Sequence, residues 1–297
     1  MISKQCLMGW ISETAMHAGA GSASGVVDLP IQRESHNDWP CVFGSSVKGA
    51  LRAHAQNLKD IPIETLFGPE HDHSSEKTHA GALAIGDARL LLLPVRSLTG
   101  AFRWVTCPEV LHRLQRDAKR AGVSMDFKVP QVSDENGEKA LFVSQLTEDL
   151  FLEEYRFTLD NKDKDIIEVA KALSTLVARD NIEPELIKRL TIVSDDMFST
   201  LVRSAVPVSA RIALDSGTKT VKNGQLWYEE YLPPETVLYA MVIAHPGRNE
   251  EAPGVEDVME KFQALFSGER SNYLQVGGNE TVGMGWCSVK LLGAEDG

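Results

Sequence analysis

The segment Gly44–Arg52 (GSSVKGALR) combines small, hydroxyl-bearing and basic residues. Backbone N–H groups at the start of a helix, helped by hydroxyls such as those of Ser45 and Ser46, form a ready site for an anion. Lys48 and Arg52 stand four residues apart on one face, and like charges at that spacing cost roughly 0.2–0.5 kcal/mol. A local rule broken in this way is typical of a functional site, although a surface helix with solvated cations fits the same residues. The order of a Walker loop is absent.

A second candidate is the glycine-rich segment Gly277–Gly285 (GGNETVGMG), which lies between two predicted strands. Residues such as Gly277, Gly278 and Gly283 let a backbone approach a ligand closely, and successive N–H groups can form a concave anion nest. A hairpin turn without a ligand is the alternative.

The third candidate is Val26–Glu34 (VVDLPIQRE), which follows a loop of small residues that carries His17. Asp28 stands between apolar residues in a stretch that the following proline keeps extended. Its carboxylate could hold a divalent metal or accept a proton, and Arg33 could face a phosphate. The alternative is an aspartate that caps a turn and an arginine that pairs with its glutamate neighbour.

Two weaker patterns complete the set. His71-x-His73 with His79 has the residue types of a zinc site, but a polar loop without a rigid frame is more typically solvated. Asn223-Gly224 predicts a hairpin turn between 218–222 and 225–231, where Trp227 and Tyr228 could stack on bases.

The elements that must position these residues follow from hydrophobic periodicity and turn signals. We predict helices over Val47–Leu58, with Ser45 and Ser46 as capping residues, over Pro108–Ala121 and over Lys164–Arg179, and a polar loop at 133–139. The predicted strands are Lys4–Ser12, Gly81–Arg89, Val208–Leu214, Gln225–Tyr231, Thr236–Ala244 and Met284–Leu292. The mixture lacks a regular βαβ rhythm, which predicts an α+β fold.

Composition bounds the class of protein. The net charge of -12 argues against a nucleic-acid partner, because phosphate binding normally needs a basic surface. Segments 134–165 and 250–260 contribute -6 and -5 of that charge, so the remainder is near neutral and a local anion site is compatible with it. The four scattered cysteines and the polar, short N-terminal segment predict reduced thiols, no signal peptide, no membrane span and a cytoplasmic location.

Taken in order, these segments resemble one family. His17 with its loop, VVDLPIQRE (26–34), GSSVKGALR (44–52), LPVRSLTGAFRWVTCP (93–108), ARIALD…GQLWYEEYLP (210–233) and GGNETVGMG (277–285) are similar to the RAMP proteins of CRISPR systems. Among them, the match is to the repeated backbone subunit of the type III-B (Cmr) effector complex.

The resemblance implies a single RAMP domain over 1–297, with a modified RRM-like (ferredoxin-like) palm. It also implies insertions at about 60–80, 120–205 and 245–270, and a protruding hairpin to which 215–231 contributes. Copies of such subunits stack along a guide RNA beside other Cmr-type subunits, and the hairpin wedges into the guide–target duplex. The backbone contacts implied for the guide fall on Ser45, Ser46, Lys48, Arg52, Gly277, Gly278 and Gly283.

The resemblance further implies that Asp28 is the cleavage residue. It would act with a divalent metal, Mg²⁺ or Mn²⁺, on attack of a ribose 2′-OH at the adjacent phosphate, one cut per subunit. His17 occupies the family's histidine position, where it would orient the phosphate. Three alternatives stay open: a non-catalytic filament scaffold, a stand-alone metal-independent RNA-processing enzyme that uses histidine, and a small-molecule phosphate-binding enzyme.

Overall fold

The computed structural model describes residues 3–70, 79–132, 137–143, 149–160, 163–248, 252–267 and 272–293. Within these ranges the strands are β1 Lys4–Ser12, β2 Cys41–Val42, β3 Leu83–Ile85, β4 Ala88–Arg96, β5 Phe102–Thr106, β6 Lys139–Phe142, β7 Asp149–Leu152, β8 Tyr155–Leu159, β9 Leu190–Ile192, β10 Val208–Leu214, β11 Val221–Glu230, β12 Val237–Ala244, β13 Tyr273–Gln275 and β14 Trp286–Leu292. The helices are α1 Gly44–Gln56, α2 Ile63–Phe67, α3 Pro108–Arg120, α4 Asp163–Ser174, α5 Ile182–Arg189, α6 Asp195–Ser204 and α7 Val255–Gln263, with 3-10 turns at Ala264–Phe266 and Glu280–Val282.

Twelve strands form one large, mostly antiparallel sheet, which has the order β13-β14-β1-β12-β4-β5-β9-β6-β8-β7. Strand β2 also pairs with β4, and β3 with β12. Two pairs within the sheet, β5 with β9 and β6 with β8, are parallel. The α+β prediction is therefore confirmed, whereas the RRM-like detail and the insertion boundaries stay predictions.

The centre of the sheet is apolar on both faces. Every residue from Cys6 to Ser12 in β1 is buried, and successive side chains of a strand point to opposite faces, so both faces must be covered. Helices α3 and α7 both contact β1. Trp10, Trp104 and Tyr239 are the largest fully buried side chains, and they make this core a rigid base for the segments beside it.

Several predicted boundaries are confirmed and others are wrong. Lys4–Ser12 and Val208–Leu214 agree with β1 and β10, and the predicted helix at 108–121 agrees with α3 to within one residue. The predicted strand Gly81–Arg89 is wrong, because Gly86 and Asp87 interrupt it between β3 and β4. The helix predicted over Lys164–Arg179 ends at residue 174. Of the predicted loop 133–139, residues 133–136 lie outside the described ranges and Lys139 begins β6.

Helix α1 begins earlier than predicted, and the predicted capping role of Ser45 and Ser46 is wrong. Phe43 is the N-cap residue and no side chain of its own caps the helix. The Asp87 carboxylate, which arrives from the turn between β3 and β4, accepts a hydrogen bond from the Gly44 N–H at 2.7 Å instead. A carboxylate from a distant segment therefore satisfies one of the free amides at this helix start.

Strands β10 and β11 form a two-stranded antiparallel hairpin outside the large sheet. Its turn lies between Leu214 and Val221, which are paired, so the turn predicted at Asn223-Gly224 is wrong. Those two residues lie inside β11, where the pairing register shifts and Gly224 has φ of +73°. The asparagine–glycine pair thus lies at a bulge, which requires the same positive φ at glycine that a tight turn would require.

All four cysteines are described, and each is a buried free thiol. Burial raises the pKa of Cys6 and of Cys41 to about 12, which keeps both thiols protonated at neutral pH. Among the described helices, none combines the length and the apolar character that crossing a membrane requires.

Candidate functional site

The segment Val26–Glu34 is held in extended form between two other parts of the chain. On one side Leu29 bridges to Glu229 at the end of β11, and its N–H donates to the Tyr228 carbonyl at 3.0 Å. On the other side Ile31 bridges to Gly19. The segment therefore joins the base of the hairpin to the loop that follows His17.

The Asp28 carboxylate is fixed on the hairpin and does not cap a turn of its own. Its Oδ2 accepts a hydrogen bond from the Tyr228 N–H at 2.7 Å, and the residue is partly exposed. No hydrogen bond reaches Oδ1 from the described part of the chain. One oxygen of this partly exposed residue is thus anchored, while the second keeps its capacity to accept a hydrogen bond.

His17 is 9% exposed and lies between the hairpin and the glycine segment. Its Nδ1 is 2.7 Å from the Glu230 carbonyl oxygen, which can only accept, so Nδ1 carries a proton. In the neutral imidazole Nε2 is then the acceptor. A Cβ on Gly19 would come within 2.8 Å of this Nε2, so a glycine is needed there to leave the ring its place.

Glu229 is the residue of this site that sequence reasoning missed. It is 3% exposed, and its carboxylate accepts hydrogen bonds from Arg211 Nε at 3.1 Å and from the Asn279 side-chain amide. His17 Nδ1 is 3.6 Å from the same carboxylate. The sequence signal is two consecutive acids at the end of a predicted strand, and in the structure both of them, Glu229 and Glu230, are buried.

The glycine segment packs directly on His17. The Gly278 N–H donates to the His17 carbonyl at 2.9 Å. Gly277 has φ of +88°, and a Cβ there would lie 2.3 Å from the His17 oxygen, so the fold itself requires this glycine. At Gly278 a Cβ would meet the protein at an ordinary 3.7 Å, and at Gly283 it would enter open space, although φ is +82°.

The start of α1 is linked to the same site through Gln32. The Gln32 amide donates to the Gly19 carbonyl at 2.9 Å and to the Ser46 hydroxyl at 3.0 Å, and its oxygen accepts from the Phe43 N–H. Ser46 is therefore engaged within the protein, whereas Ser45 is exposed. The segments 26–34 and 44–52 are thus joined to each other through Gln32.

Basic side chains gather further along α1. Lys48 Nζ is 3.4 Å from the Leu83 carbonyl. Burial, and then the positive charges of Arg52 and Arg248, hold the pKa of Lys48 below its usual value. Arg248, which sequence reasoning also missed, therefore belongs to the same basic group. Arg52 is partly committed, since its Nη1 donates to the Gly68 carbonyl at 2.7 Å.

Arg33 faces inward. Its guanidinium contacts Glu230 at 2.5 Å and donates to the carbonyls of Asp38 at 2.8 Å and Val202 at 3.1 Å. These three contacts leave little of the guanidinium for a phosphate. The alternative pairing with Glu34 is wrong, because Glu34 binds Arg113 at 2.8 Å.

Metal-binding side chains are sparse in this site. The described ranges contain no group of three or more His, Cys, Asp or Glu residues that could hold a metal ion. His71 and His73 of the predicted zinc pattern lie outside the described residues, and His79 Nδ1 is 3.4 Å from the Ala80 carbonyl oxygen. Among the described residues, Asp28 is therefore not part of a ready-made group of metal-binding side chains.

Comparison with known proteins gives a consistent result. Residues 12–288 match the RAMP superfamily. The chain is 36% identical over 296 residues to the CRISPR system Cmr endoribonuclease Cmr4 of Pyrococcus furiosus, with 97% of this chain and 96% of that protein covered. The crystal structure of oligomeric Cmr4 from Pyrococcus furiosus superposes with a TM-score of 0.73 at 29% identity, covering 97% of each chain. A chain of the type III-B Cmr-beta complex bound to cognate target RNA has a TM-score of 0.68 at 20% identity, covering 98% and 97%, which supports the fold.

Proposed function

This chain belongs to the RAMP superfamily, and from that premise we propose that it is a guide-RNA-binding backbone subunit of a type III-B CRISPR effector that cuts complementary target RNA. The observation that carries the proposal is the placement of Asp28 and His17. Both are held by main-chain groups of residues 228–230, at the base of a hairpin that projects from the sheet.

The proposed division of labour follows from the two ends of the site. Lys48, Arg52 and Arg248 carry positive charge suited to the phosphates of the guide RNA. Contacts with phosphates do not depend on the base sequence of the RNA. The hairpin at β10–β11 stands clear of the sheet and presents apolar side chains such as Ile212 and Leu226 to solvent, as a wedge between bases requires. Base pairing with the guide then selects the target, and the protein reads only backbone and shape.

The proposed reaction is attack of a target 2′-OH on its own 3′ phosphorus. The O2′–P bond forms, the P–O5′ bond breaks, and the departing O5′ takes a proton from water, so the products end in a 2′,3′-cyclic phosphate and a 5′-OH. The anchored Asp28 carboxylate accepts the 2′ proton or holds a ligand through its second oxygen, and the hydrogen bond to Tyr228 fixes its direction. His17 holds the glycine segment against the hairpin base and thereby orients the RNA backbone.

A divalent metal, Mg²⁺ or Mn²⁺, is part of the proposal in a limited way. Mg²⁺ sites that act on phosphates commonly use one or two carboxylates together with substrate oxygens, and the single carboxylate of Asp28 fits that donor set. When bound, the ion would stabilise the negative charge that develops on the phosphate.

The partners proposed are guide RNA, complementary target RNA, further copies of this chain and other Cmr-type subunits. A relative of similar length crystallised as oligomeric Cmr4, and a structural neighbour belongs to a Cmr-beta complex bound to cognate target RNA. The acidic segments 134–165 and 250–260 carry most of the net negative charge, so the rest of the chain is near neutral and compatible with binding of RNA.

The test is a target RNA that carries a single 2′-deoxynucleotide at one mapped cut. The reconstituted effector should lose that cut alone, keep its neighbours, and leave 5′-OH ends. Cutting at the deoxy position would refute attack by the 2′-OH. In a parallel sample EDTA should stop cutting, and persistence in EDTA would favour the metal-independent histidine enzyme. Normal pairing without any cutting would favour the scaffold.

A further inference from the structure

A buried ion pair lies directly beside the proposed cleavage site. Glu230, the last residue of β11, is 7% exposed, and its Oε1 is 2.5 Å from the guanidinium of Arg33. The other carboxylate oxygen accepts the Ile31 N–H at 3.0 Å. Ile31 and Arg33, which both belong to the segment that carries Asp28, are thereby bound to the Glu230 side chain.

The main chain of Glu230 completes this arrangement. Its N–H donates to the Leu29 carbonyl at 3.0 Å, next to Asp28, and its carbonyl accepts His17 Nδ1 at 2.7 Å. One residue therefore contacts both the segment of the proposed cleavage carboxylate and the histidine. A shift of Glu230 would move these two groups relative to each other.

The guanidinium is itself anchored to the scaffold. Arg33 Nη1 donates to the Val202 carbonyl in α6 at 3.1 Å and to the Asp38 carbonyl at 2.8 Å. The pair thus connects the site to a helix outside it, and its charge is not free for RNA. A planar guanidinium in three directed contacts has little freedom to move.

We infer that the Arg33–Glu230 pair is a positioning element for RNA cleavage, which sets the Asp28 carboxylate relative to His17 and to the target phosphate. This inference rests on the proposed function. It replaces a phosphate-binding role for Arg33 with an internal one and gives Glu230 a role that neither its burial nor its strand position alone would suggest.

The competing explanation is that the pair only stabilises the fold, and a matched pair elsewhere separates the two. Arg179 binds Glu235 at 2.6 Å and Glu13 at 3.0 Å, and both carboxylates are partly buried. In the part of the chain that the structure describes, the hydrogen bonds of Arg179 join it to Glu13 and Glu235, which both lie outside the segment Val26–Glu34. Glu235→Gln therefore perturbs a comparable ion pair outside the site.

The experiment compares reconstituted complexes that carry Glu230→Asp, Glu230→Gln, the double variant Arg33→Gln/Glu230→Gln, or Glu235→Gln. Glu230→Asp keeps the charge but withdraws the carboxylate from Ile31, so it reports even where Glu230→Gln fails to assemble. The single-turnover cutting rate, the target dissociation constant and the thermal midpoint are measured on each preparation. Both single variants at 230 should cut about 10- to 100-fold more slowly, a scale typical of misplaced reacting groups, with target affinity within about twofold.

The double variant is the rescue arm, because it removes the arginine charge that Glu230→Gln leaves without its partner. It should regain at least about fivefold of the rate lost in Glu230→Gln, and Glu235→Gln should cut like wild type. Wild-type rates in the assembled variants at 230, equal slowing in Glu235→Gln, or no rescue would overturn the inference. If Asp28→Asn in the same assay also cuts normally, the proposed function falls with it. If Asp28→Asn is inactive while the Glu230 variants cut normally, only the positioning role is lost.

Discussion

Lys48 gives the most quantitative prediction for RNA binding. Replacing it with methionine keeps the apolar stem and removes the ammonium, which lies near the Leu83 carbonyl and close to two arginines. Binding to single-stranded RNA loses about 0.7 of log–log salt slope for each phosphate contact removed. Between roughly 50 and 200 mM salt, the affinity of the wild type for RNA should therefore fall about 2.6-fold further than that of a variant that lacks one phosphate contact.

The direction in which RNA affinity changes with pH provides a second, independent test of the Lys48 contact. The pKa of Lys48 is lowered in the folded protein, first by burial and then by Arg52 and Arg248, so its charge costs stability at neutral pH. That cost disappears as the pH rises through the lowered pKa toward the unfolded value of 10.5. A bound phosphate favours the charged form, so RNA affinity should be full below the lowered pKa and decline as the pH rises through it. Lys48→Met should remove this part of the decline.

The assay is fluorescence anisotropy with two unrelated RNAs of equal length at four salt concentrations and over an alkaline pH series. Lys171→Met provides the control, since Lys171 is an exposed lysine on α4, which packs against α5 and β6. Lys48→Met should weaken both RNAs alike and flatten the slope, whereas Lys171→Met should not. Equal slopes in wild type and Lys48→Met, or equal flattening by both variants, would refute a phosphate contact at Lys48.

Two further predictions concern neighbouring residues. Gly277→Ala should lower the thermal midpoint by several degrees, because the new Cβ meets the His17 oxygen and the positive φ costs about 1–3 kcal/mol. Gly278→Ala should fold normally and bind RNA more weakly. Equal midpoints for the two variants, or unchanged binding by Gly278→Ala, would remove the distinction. Arg52→Met should cost about 1.5–3 kcal/mol of stability through the lost bond to the Gly68 carbonyl, measured by chemical denaturation, and wild-type stability would contradict it.

The sequence predicts those parts of the fold that depend on local periodicity. The predicted bounds of strand β1 agree with the structure, although its residues from Cys6 to Ser12 are buried on both faces. Helix α3 has proline at its start and Gly122 with φ of +71° just past its end. Long-range contacts are different in kind. Nothing near Gly44 indicates that Asp87 caps α1, and the local sequence favours the nearby serines for that role.

The same limit applies to the site. Asp28, His17 and the glycine segment are predicted from sequence motifs, and in the structure all three lie near the hairpin base. Glu229 and Arg248 were missed, because their relevance depends on pairings across about 200 residues of chain, such as that of Leu29 with Glu229. Arg33 shows the converse, since an arginine in an exposed-looking motif is held against a buried acid, Glu230, that no local pattern reveals.

The direct test of the proposed cleavage role is Asp28→Asn, measured for target binding and target cutting on one preparation of the reconstituted effector with Mg²⁺ or Mn²⁺. The amide keeps an oxygen for the Tyr228 N–H but lacks the negative charge. Binding should match wild type while the cutting rate falls about 100-fold, which equals about 2.7 kcal/mol of transition-state stabilisation. Normal binding together with cutting at the wild-type rate would contradict a catalytic Asp28.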